Sequence, residues 1–295
     1  MLYVIIISLI MAELLHVQTY NMKGFNNSRE YVRNIIDKDK PDIICLQETW
    51  HLKEMHQQFS NIHKEYTYVE ESGVDSNTTI LSGRLYGGLA ILYKKCIAGS
   101  VTKIDFLNNR LLGIHIKGIH GCKDIVLLTV YMPCDNRRAE IVNDVFIEVL
   151  SHIEQIFSQF DDAGFIICGD WNTDPVRHNA QTNAFLEFLT RNNLKLSWNS
   201  PNASIGNTYI DHIQGNASCL DHFVMTEAVF ASMTKCEIHE CPTNTSDHHN
   251  VSVICEWDIN SNNVSERSHS NKRTAWHRVN RVHIDKYKSN INASL

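Results

Sequence analysis

Up to about residue 257, the chain alternates short apolar, strand-like runs with segments of helical periodicity. The periodicity predicts a long helix over residues 137–160, with one apolar face formed by Val142, Val145, Phe146, Val149, Ile153, Ile156 and Phe160. Asn27 and Glu30 resemble a capping pair at the start of an earlier helix, and a third helix is predicted near 180–191. Strands are predicted near 14–20, 42–46, 88–93, 101–106, 110–116, 124–131, 164–168, 219–225 and 250–257. Two sheets flanked by helices fit this order, which predicts an α/β fold.

The length and composition fit one large soluble domain. The chain has 295 residues, of which 43% are hydrophobic and 20% charged. We divide it into an apolar extension at 1–13, a domain at 14–257 and a basic, polar tail or linker at 258–295. The net charge of −6 is unevenly distributed, because residues 261–295 carry a local +5 and leave −11 on residues 1–260. An acidic body can still bind a polyanion where its acids hold a metal ion, so charge alone neither supports nor excludes DNA.

The apolar start of the chain and its cysteines bear on the compartment. Residues 1–15 resemble a signal peptide, but they lack a basic n-region and a cleavage site and are too short to span a bilayer. A weak signal, an upstream strand and a gene-model extension ahead of Met11 all stay open. Sequons at Asn216 and Asn244 lie beside the proposed active-site segments, where a glycan would obstruct substrate. Nine cysteines without a CxxC pair favour a reducing compartment, so we expect an intracellular, nuclear protein with no membrane contact.

Polar, oxygen-bearing residues follow the apolar runs at several points along the chain. These segments are 20–24 (YNMKG), 46–49 (LQET), 131–133 (YMP), 169–172 (GDWN), 218–222 (SCLDH) and 246–249 (SDHH). Strand ends along one edge of a sheet are where functional sites collect in α/β folds. Each segment alone is a weak indication, since Gly-Asp-x-Asn is often only a turn. Their occurrence together and in this order predicts an active site.

This ordered set resembles the endonuclease/exonuclease/phosphatase superfamily, which includes exonuclease III and DNase I, and the likeness spans residues 14–257. The resemblance implies a DNase I-like four-layer α/β sandwich, two packed sheets flanked by helices. The sequences at 20–25 (YNMKGF) and 131–136 (YMPCDN) are most similar to the endonuclease domain of non-LTR retrotransposons. Residues 274–277 (TAWH) resemble the link to reverse transcriptase in those elements, so we expect an isolated endonuclease part, monomeric, whose polymerase partner is absent from this chain.

The resemblance implies a Mg²⁺-dependent nuclease that hydrolyses phosphodiester bonds in DNA. Such chemistry needs positive charge against the transition state and an activated water. Glu48, Asn21 and Asp247 would be the metal ligands, because their hard oxygens suit Mg²⁺, with Mn²⁺ as a substitute. For Glu48 taken alone, the competing interpretation is a solvated surface acid at a strand end.

Five further residues receive catalytic roles from the same resemblance. Asp170 would orient or deprotonate the attacking water, while Asn172 and Tyr131 would bind the scissile phosphate. Asp221 would fix the tautomer of His248 and raise its pKa, and His248 would lie against the phosphate. Which of Asp170 and His248 moves the proton stays open, and Tyr131 has a competing interpretation as a packed strand aromatic.

Position 23 departs from the repair-type members of the superfamily, which usually carry an acidic or amide residue there. A lysine beside the metal would weaken a second ion site, so Lys23 favours one metal ion and argues against a dedicated abasic-site enzyme. His222 and His249 are expected to be structural or to flank DNA. The alternatives are a phosphatase of the same fold acting on a lipid, inositol phosphate or RNA, a catalytically silent DNA-binding remnant, and a domain that does not fold without its polymerase.

Overall fold

The protein is described by a computed structural model over residues 14–74, 85–106, 108–118, 123–134 and 139–256. The predicted extension at 1–13 and tail at 258–295 lie outside the described residues. So do residues 75–84 between the third and fourth strands, and residues 137 and 138 of the predicted long helix. Within the described ranges, no helix has the length and apolar character needed to cross a membrane.

The described ranges contain two six-stranded sheets and four α-helices. The first sheet contains β1 (Leu14–Asn21), β2 (Ile43–Gln47), β3 (Tyr66–Glu71), β4 (Leu89–Lys94), β13 (Met233–His239) and β14 (Asn250–Glu256). The second contains β5 (Val101–Ile104), β6 (Leu111–Ile116), β7 (Ile125–Tyr131), β8 (Gly164–Asp170), β9 (Leu194–Leu196) and β12 (Asp221–Thr226). The helices are α1 (Phe25–Asp39), α2 (Ala139–Gln159), α3 (Ala180–Arg191) and α4 (Glu227–Ala231), and β10 (Tyr209–Ile210) pairs with β11 (Ala217–Ser218) in a separate hairpin. Short 3₁₀ helices cover Lys53–Asn61, Lys95–Ser100 and Ser197–Asn199.

The two sheets pack face to face, with helices on their outer faces. The strand orders are β13-β14-β1-β2-β4-β3 and β5-β6-β7-β8-β12-β9. Alternate residues of one strand serve two cores, as the two-residue period of a strand requires. In β2, Ile43 and Cys45 belong to the core between the sheets, whereas Ile44 and Leu46 pack with residues of α1 and the Lys53–Asn61 helix. The expected DNase I-like four-layer α/β sandwich is thereby confirmed.

Two parallel strand pairs bring the polar segments to one edge of the sandwich. β1 runs parallel to β2 with Asn21 opposite Gln47, and β7 runs parallel to β8 with Tyr131 opposite Asp170. β12 is antiparallel to β8 and places Asp221 opposite Asp170, so it begins where β8 ends. We call this edge, where β1, β2, β7 and β8 all end, the rim. Because parallel strands end on the same side, residues far apart in sequence meet there.

The start of α1 differs from the prediction. The helix begins at Phe25 with Gly24 as its N-cap, and no side chain caps it, so the Asn27 cap prediction is wrong. Gly24 adopts a φ of 105° and donates its N–H to the Glu48 carbonyl (2.8 Å), and Phe25 donates to the Thr49 carbonyl (2.9 Å). Backbone hydrogen bonds to the turn after β2 therefore satisfy the helix start.

Gly169 allows the close approach of β8 to β7. Its φ is 137°, and a Cβ there would lie 2.2 Å from the Val130 carbonyl oxygen. Gly169→Ala should therefore destabilise the fold by about 2–4 kcal/mol, through overpacking and a strained backbone. Chemical denaturation measures this directly. The matched control is Gly99→Ala, whose added methyl group meets no atom within 4 Å. Equal denaturation midpoints for the two variants would contradict the prediction.

Candidate active site

Asn21 ties the two sheets together at the rim. Its side chain is fully buried, and its amide nitrogen donates to Glu48 Oε1 (2.9 Å) and to Asp170 Oδ2 (2.9 Å). Its amide oxygen accepts from the Lys23 backbone N–H (3.2 Å). The carboxylates that follow β2 and end β8 thus meet at one amide group. In this arrangement Asn21 turns its nitrogen towards the carboxylates, so the predicted role as a metal ligand requires the amide to turn over.

Glu48 is presented by a turn with an unusual backbone. Glu48 has a φ of 51° and Trp50 a φ of 50°, a region that side-chain-bearing residues adopt infrequently and that often marks functional sites. The Trp50 indole N–H donates to Glu48 Oε2 (3.0 Å), so both carboxylate oxygens accept a hydrogen bond. The preceding residue, Gln47, spans the space between the sheets through hydrogen bonds to Thr19 (3.0 Å) and Thr129 (2.8 Å). Gln47 is therefore a structural support of the turn.

Asp170 and Asn172 form a second turn at the end of β8. The Asn172 backbone N–H donates to Asp170 Oδ1 (2.9 Å), and its side-chain nitrogen donates to Asp170 Oδ2 (3.1 Å) and to the Met132 carbonyl (2.9 Å). Asn172 also has a positive φ of 47°. Both amide hydrogens of Asn172 are engaged within the protein, so phosphate binding by this residue stays a prediction that needs one of these bonds to open.

Asp221 and His248 form a buried pair beside Asp170. His248 Nδ1 and Asp221 Oδ2 are 2.8 Å apart, and the side chains are 7% and 0% exposed. The other ring nitrogen, Nε2, lies 4.0 Å from Asp170 Oδ2. The Tyr209 ring from the β10–β11 hairpin packs on the imidazole, with centroids 5.0 Å apart. The structure therefore brings Asp170, Asp221 and His248 together.

Burial and mutual charge together raise the pKa values of both Asp170 and His248. Burial raises the pKa of Asp170 to about 7, partly opposed by the positive charge of His248. Burial alone would lower the pKa of His248, but the carboxylates of Asp221 and Asp170 outweigh it and raise that pKa to about 10. The imidazole is consequently charged at neutral pH, and the Asp170 carboxylate is a stronger proton acceptor than an ordinary aspartate.

The loop that carries His248 is held by its own polar side chains. Asn244 accepts hydrogen bonds from the Tyr20 hydroxyl (2.7 Å) and the Ser246 N–H (3.0 Å), and donates to the His248 carbonyl (2.7 Å). The Ser246 hydroxyl donates to the Asn21 carbonyl (2.8 Å) and accepts from the His248 N–H (3.1 Å). These bonds connect the loop to the end of β1, so the imidazole is fixed relative to Asn21.

Asp247 forms an ion pair with a lysine of the same chain. Its carboxylate Oδ2 forms an ion pair with Lys23 Nζ, and the two side chains are 19% and 41% exposed. The predicted role of Asp247 as a metal ligand therefore requires it to leave Lys23. Lys23 lies beside the site, as the sequence suggested, and it has a φ of 47°.

Tyr131 lies at the end of β7 with an arginine that the sequence analysis missed. Burial and the negative charges of Glu48 and Asp170 raise the pKa of Tyr131. The Arg110 guanidinium lies 5.4 Å from the centre of the Tyr131 ring and donates to the Tyr131 carbonyl (3.0 Å). Arg110 precedes β6 without any motif around it, so only the pairing of β6 with β7 brings it to the rim.

His222 and His249 lie outside the reacting group. The His222 Nδ1 accepts from the Trp198 indole N–H (2.8 Å), and its Nε2 donates to the Thr173 carbonyl (2.7 Å). This bonding fixes the tautomer of His222 and connects β12 to the turn after β8. Burial lowers the pKa of His222, in keeping with a neutral structural histidine. The His249 backbone N–H donates to the Thr208 carbonyl (2.6 Å), which holds the hairpin against the loop.

Two sets of side chains at the rim have the chemistry to hold a metal ion. Ligand atoms of Asp170, Asp221 and His248 all lie within 4.8 Å of one another, but the Asp221–His248 hydrogen bond already uses Nδ1 of this trio. Glu48 and Asp170 share the Asn21 amide, and among the described residues Glu48 has no cationic partner. A carboxylate without a cationic partner, next to a buried amide group, offers hard oxygen donors suited to a divalent cation.

Comparison with known proteins agrees with the fold. The sequence model of the Endonuclease/Exonuclease/phosphatase family matches residues 19–248. A search of curated proteins by sequence gave no match.

Three solved structures illustrate the structural likeness. They are an AP endonuclease from Leishmania major (15% identity, TM-score 0.68, covering 82% of this chain and 88% of that one), a 3′ phosphatase from Neisseria bound to a product DNA hairpin (16%, 0.63, 82% and 100%), and the endonuclease domain of TRAS1, a telomere-specific non-LTR retrotransposon (14%, 0.60, 83% and 99%). At these identities the likeness concerns the fold. Together with the family match over most of the domain, it shows that this chain belongs to the endonuclease/exonuclease/phosphatase family.

Proposed function

We propose that the protein is a divalent-metal-dependent endonuclease that nicks DNA, of the kind that non-LTR retrotransposons use on their target. The observation that carries this proposal is the 4.0 Å separation of His248 Nε2 and Asp170 Oδ2 at the rim. One oxygen atom placed beside both would form hydrogen bonds of about 2.8 Å to each. A base and a charged donor that face the same small space suit the hydrolysis of a phosphate ester.

The two residues divide the proton chemistry between them. Asp170, whose pKa is raised by burial, accepts a proton from the attacking water in its ionised form. His248 is already charged and donates a hydrogen bond to the phosphate, where negative charge develops. Asp221 keeps the imidazole aligned and charged through the bond to Nδ1.

The metal would be held by Glu48 together with Asn21. A bound Mg²⁺ supplies positive charge at the phosphate and lowers the pKa of a coordinated water. Carboxylate and amide oxygens are the ligands that this ion prefers, and Mn²⁺ accepts the same ligands. Asn21 joins this set by turning its amide oxygen towards Glu48, and Asp247 would join it only after release from Lys23.

DNA as substrate is supported by the family and by the solved structures of similar fold. One of these is a phosphatase bound to a DNA hairpin, and another is the endonuclease domain of a retrotransposon. The sequences at residues 20–25 and 131–136 also resemble those of retrotransposon endonucleases. A reverse transcriptase acting on the nick is the partner that this function implies.

The expected result is nicking of supercoiled plasmid in Mg²⁺, no nicking in EDTA, and a 3′-hydroxyl at the nick. A target-nicking enzyme needs that end because it primes reverse transcription. Gel electrophoresis measures the nicks, and extension by a DNA polymerase reports the chemical end. Single-stranded RNA and inositol phosphates are assayed in parallel.

His248→Ala is the control for a contaminating nuclease, since it removes the imidazole at the centre of the site. Nicks that can be extended only after phosphatase treatment would contradict the retrotransposon-like reaction. Turnover of RNA or inositol phosphates without DNA nicking would favour the phosphatase alternative. A folded protein that binds DNA without cutting any of these substrates would indicate a silent remnant.

A further inference from the structure

The side chain of Lys23 is directed by a constrained backbone. The turn after β1 is fixed on both sides, since Met22 donates to the Gln47 carbonyl (3.0 Å) and Gly24 donates to the Glu48 carbonyl (2.8 Å). Between them, Lys23 adopts a φ of 47°, and its N–H bonds to Asn21 Oδ1 (3.2 Å). A left-handed residue other than glycine in a fully bonded turn is held there by its surroundings, and such strain is concentrated at functional sites.

The ammonium group of Lys23 is held in a pair that a substrate can open. Its partner is Asp247, the residue directly before His248, and the Lys23 side chain is 41% exposed. Ion pairs at this exposure contribute little to stability because water screens the charges and both side chains lose freedom. A phosphate brought to His248 therefore competes with Asp247 for the same ammonium group.

Charge is distributed unevenly across the site. On the His248 side, Asp221 is paired with the imidazole and Asp247 with Lys23. On the Glu48 side, no cation pairs with the carboxylate among the described residues. The Glu48 carboxylate is thus available to a divalent ion, since the nearby Arg110 bonds to Tyr131, whereas the other side already carries the cations of His248 and Lys23.

We propose that Lys23 is a phosphate-binding residue whose ammonium group leaves Asp247 for a non-bridging oxygen of the DNA backbone, in place of a second metal ion. This inference rests on the proposed function and names how that site holds its substrate. Two-ion sites place one cation on each side of the phosphate, and here one of those positions is occupied by a lysine of the chain. The protein binds one catalytic ion.

The first test measures DNA binding without turnover. Fluorescence anisotropy of a labelled duplex in EDTA should show Lys23→Met weakening binding by roughly 10- to 150-fold, as expected for one lost charged hydrogen bond. The slope of log Kd against the logarithm of the salt concentration should fall by about 0.9, the contribution of one phosphate contact. Lys23→Arg should retain most of the affinity, because it keeps the positive charge.

The matched control is Lys195→Met. Lys195 is also an exposed lysine in an ion pair, with its Nζ 3.1 Å from Glu227 Oε2. Asp221 begins β12 and Glu227 follows its other end, so this pair lies away from the site. Lys195→Met should leave the affinity and the salt slope unchanged. A salt slope for Lys23→Met equal to that of Lys195→Met would overturn the inference.

The second test counts ions. Titration of the free protein with Mn²⁺, followed by electron paramagnetic resonance, should give one tightly bound ion in the wild-type protein. Lys23→Asp should add a second, since it places another carboxylate beside the released Asp247. Two tight ions in the wild-type protein would overturn the inference, even if plasmid nicking is observed. Absence of nicking by the wild-type protein would overturn the proposed function, so the two failures can be distinguished.

Discussion

Replacing Asp170 by asparagine is expected to lower kcat by roughly 10²–10⁴-fold, the range for a lost general base. The substituted side chain has nearly the same shape and can still accept a hydrogen bond from Asn21 or Asn172. It cannot take a proton from water at neutral pH, whereas the carboxylate of Asp170, with a pKa of about 7, can. Steady-state nicking rates at saturating Mg²⁺ measure the loss.

Glu48→Gln is the comparison that separates proton transfer from metal binding. It removes one negative charge from the carboxylate that has no cationic partner among the described residues, so the Mg²⁺ concentration for half-maximal activity should rise. For Asp170→Asn that concentration should change little. Our division of roles is wrong if both variants shift the Mg²⁺ titration by the same factor.

The second large effect concerns Asp221 and His248 as one unit. His248→Ala should reduce kcat about as much alone as together with Asp221→Ala, because residues that act together are strongly non-additive. The 2.8 Å bond between them and their burial are the physical reason. Nicking rates of the two single variants and the double variant complete the cycle. Losses that multiply independently would mean that Asp221 only supports the fold.

The pH dependence gives this prediction a separate readout. The nearby carboxylates raise the pKa of His248 to about 10, so the charged form persists through neutral pH and is lost above that value. Asp221→Asn removes the foremost of these carboxylates, which lowers the pKa of His248. The alkaline limb of kcat/KM should therefore move to lower pH. The acidic limb should also move to lower pH, because the charge of Asp221 contributes to the raised pKa of Asp170.

The position of the site could be predicted because it follows from topology. Asn21, Glu48, Tyr131 and Asp170 each lie at or directly after a strand end, and parallel pairing of β1 with β2 and of β7 with β8 makes those ends coincide. Apolar runs long enough to be buried identified these strands. The weaker strands β3, β9 and β13 were not predicted, since their polar residues reflect edge positions in the sheets.

What the sequence could not provide is the bonding between side chains from distant segments. The Asn21 amide faces Glu48 and Asp170 with its nitrogen, and Lys23 pairs with Asp247 more than 200 residues away. Such choices depend on distances of a few tenths of an ångström after folding. Arg110 illustrates the same limit, because it reaches Tyr131 only through the pairing of β6 with β7.

The hydrogen bond from Trp50 to Glu48 allows the protein's own fluorescence to report metal binding. The indole N–H donates to Oε2 (3.0 Å) of the carboxylate that is proposed to hold the ion. The emission of an indole depends on the charge and polarity next to its ring nitrogen. When a cation draws the charge of Glu48 away from that nitrogen, the fluorescence of Trp50 changes. Occupancy of the metal site can then be followed through the fluorescence of Trp50, without DNA and without turnover.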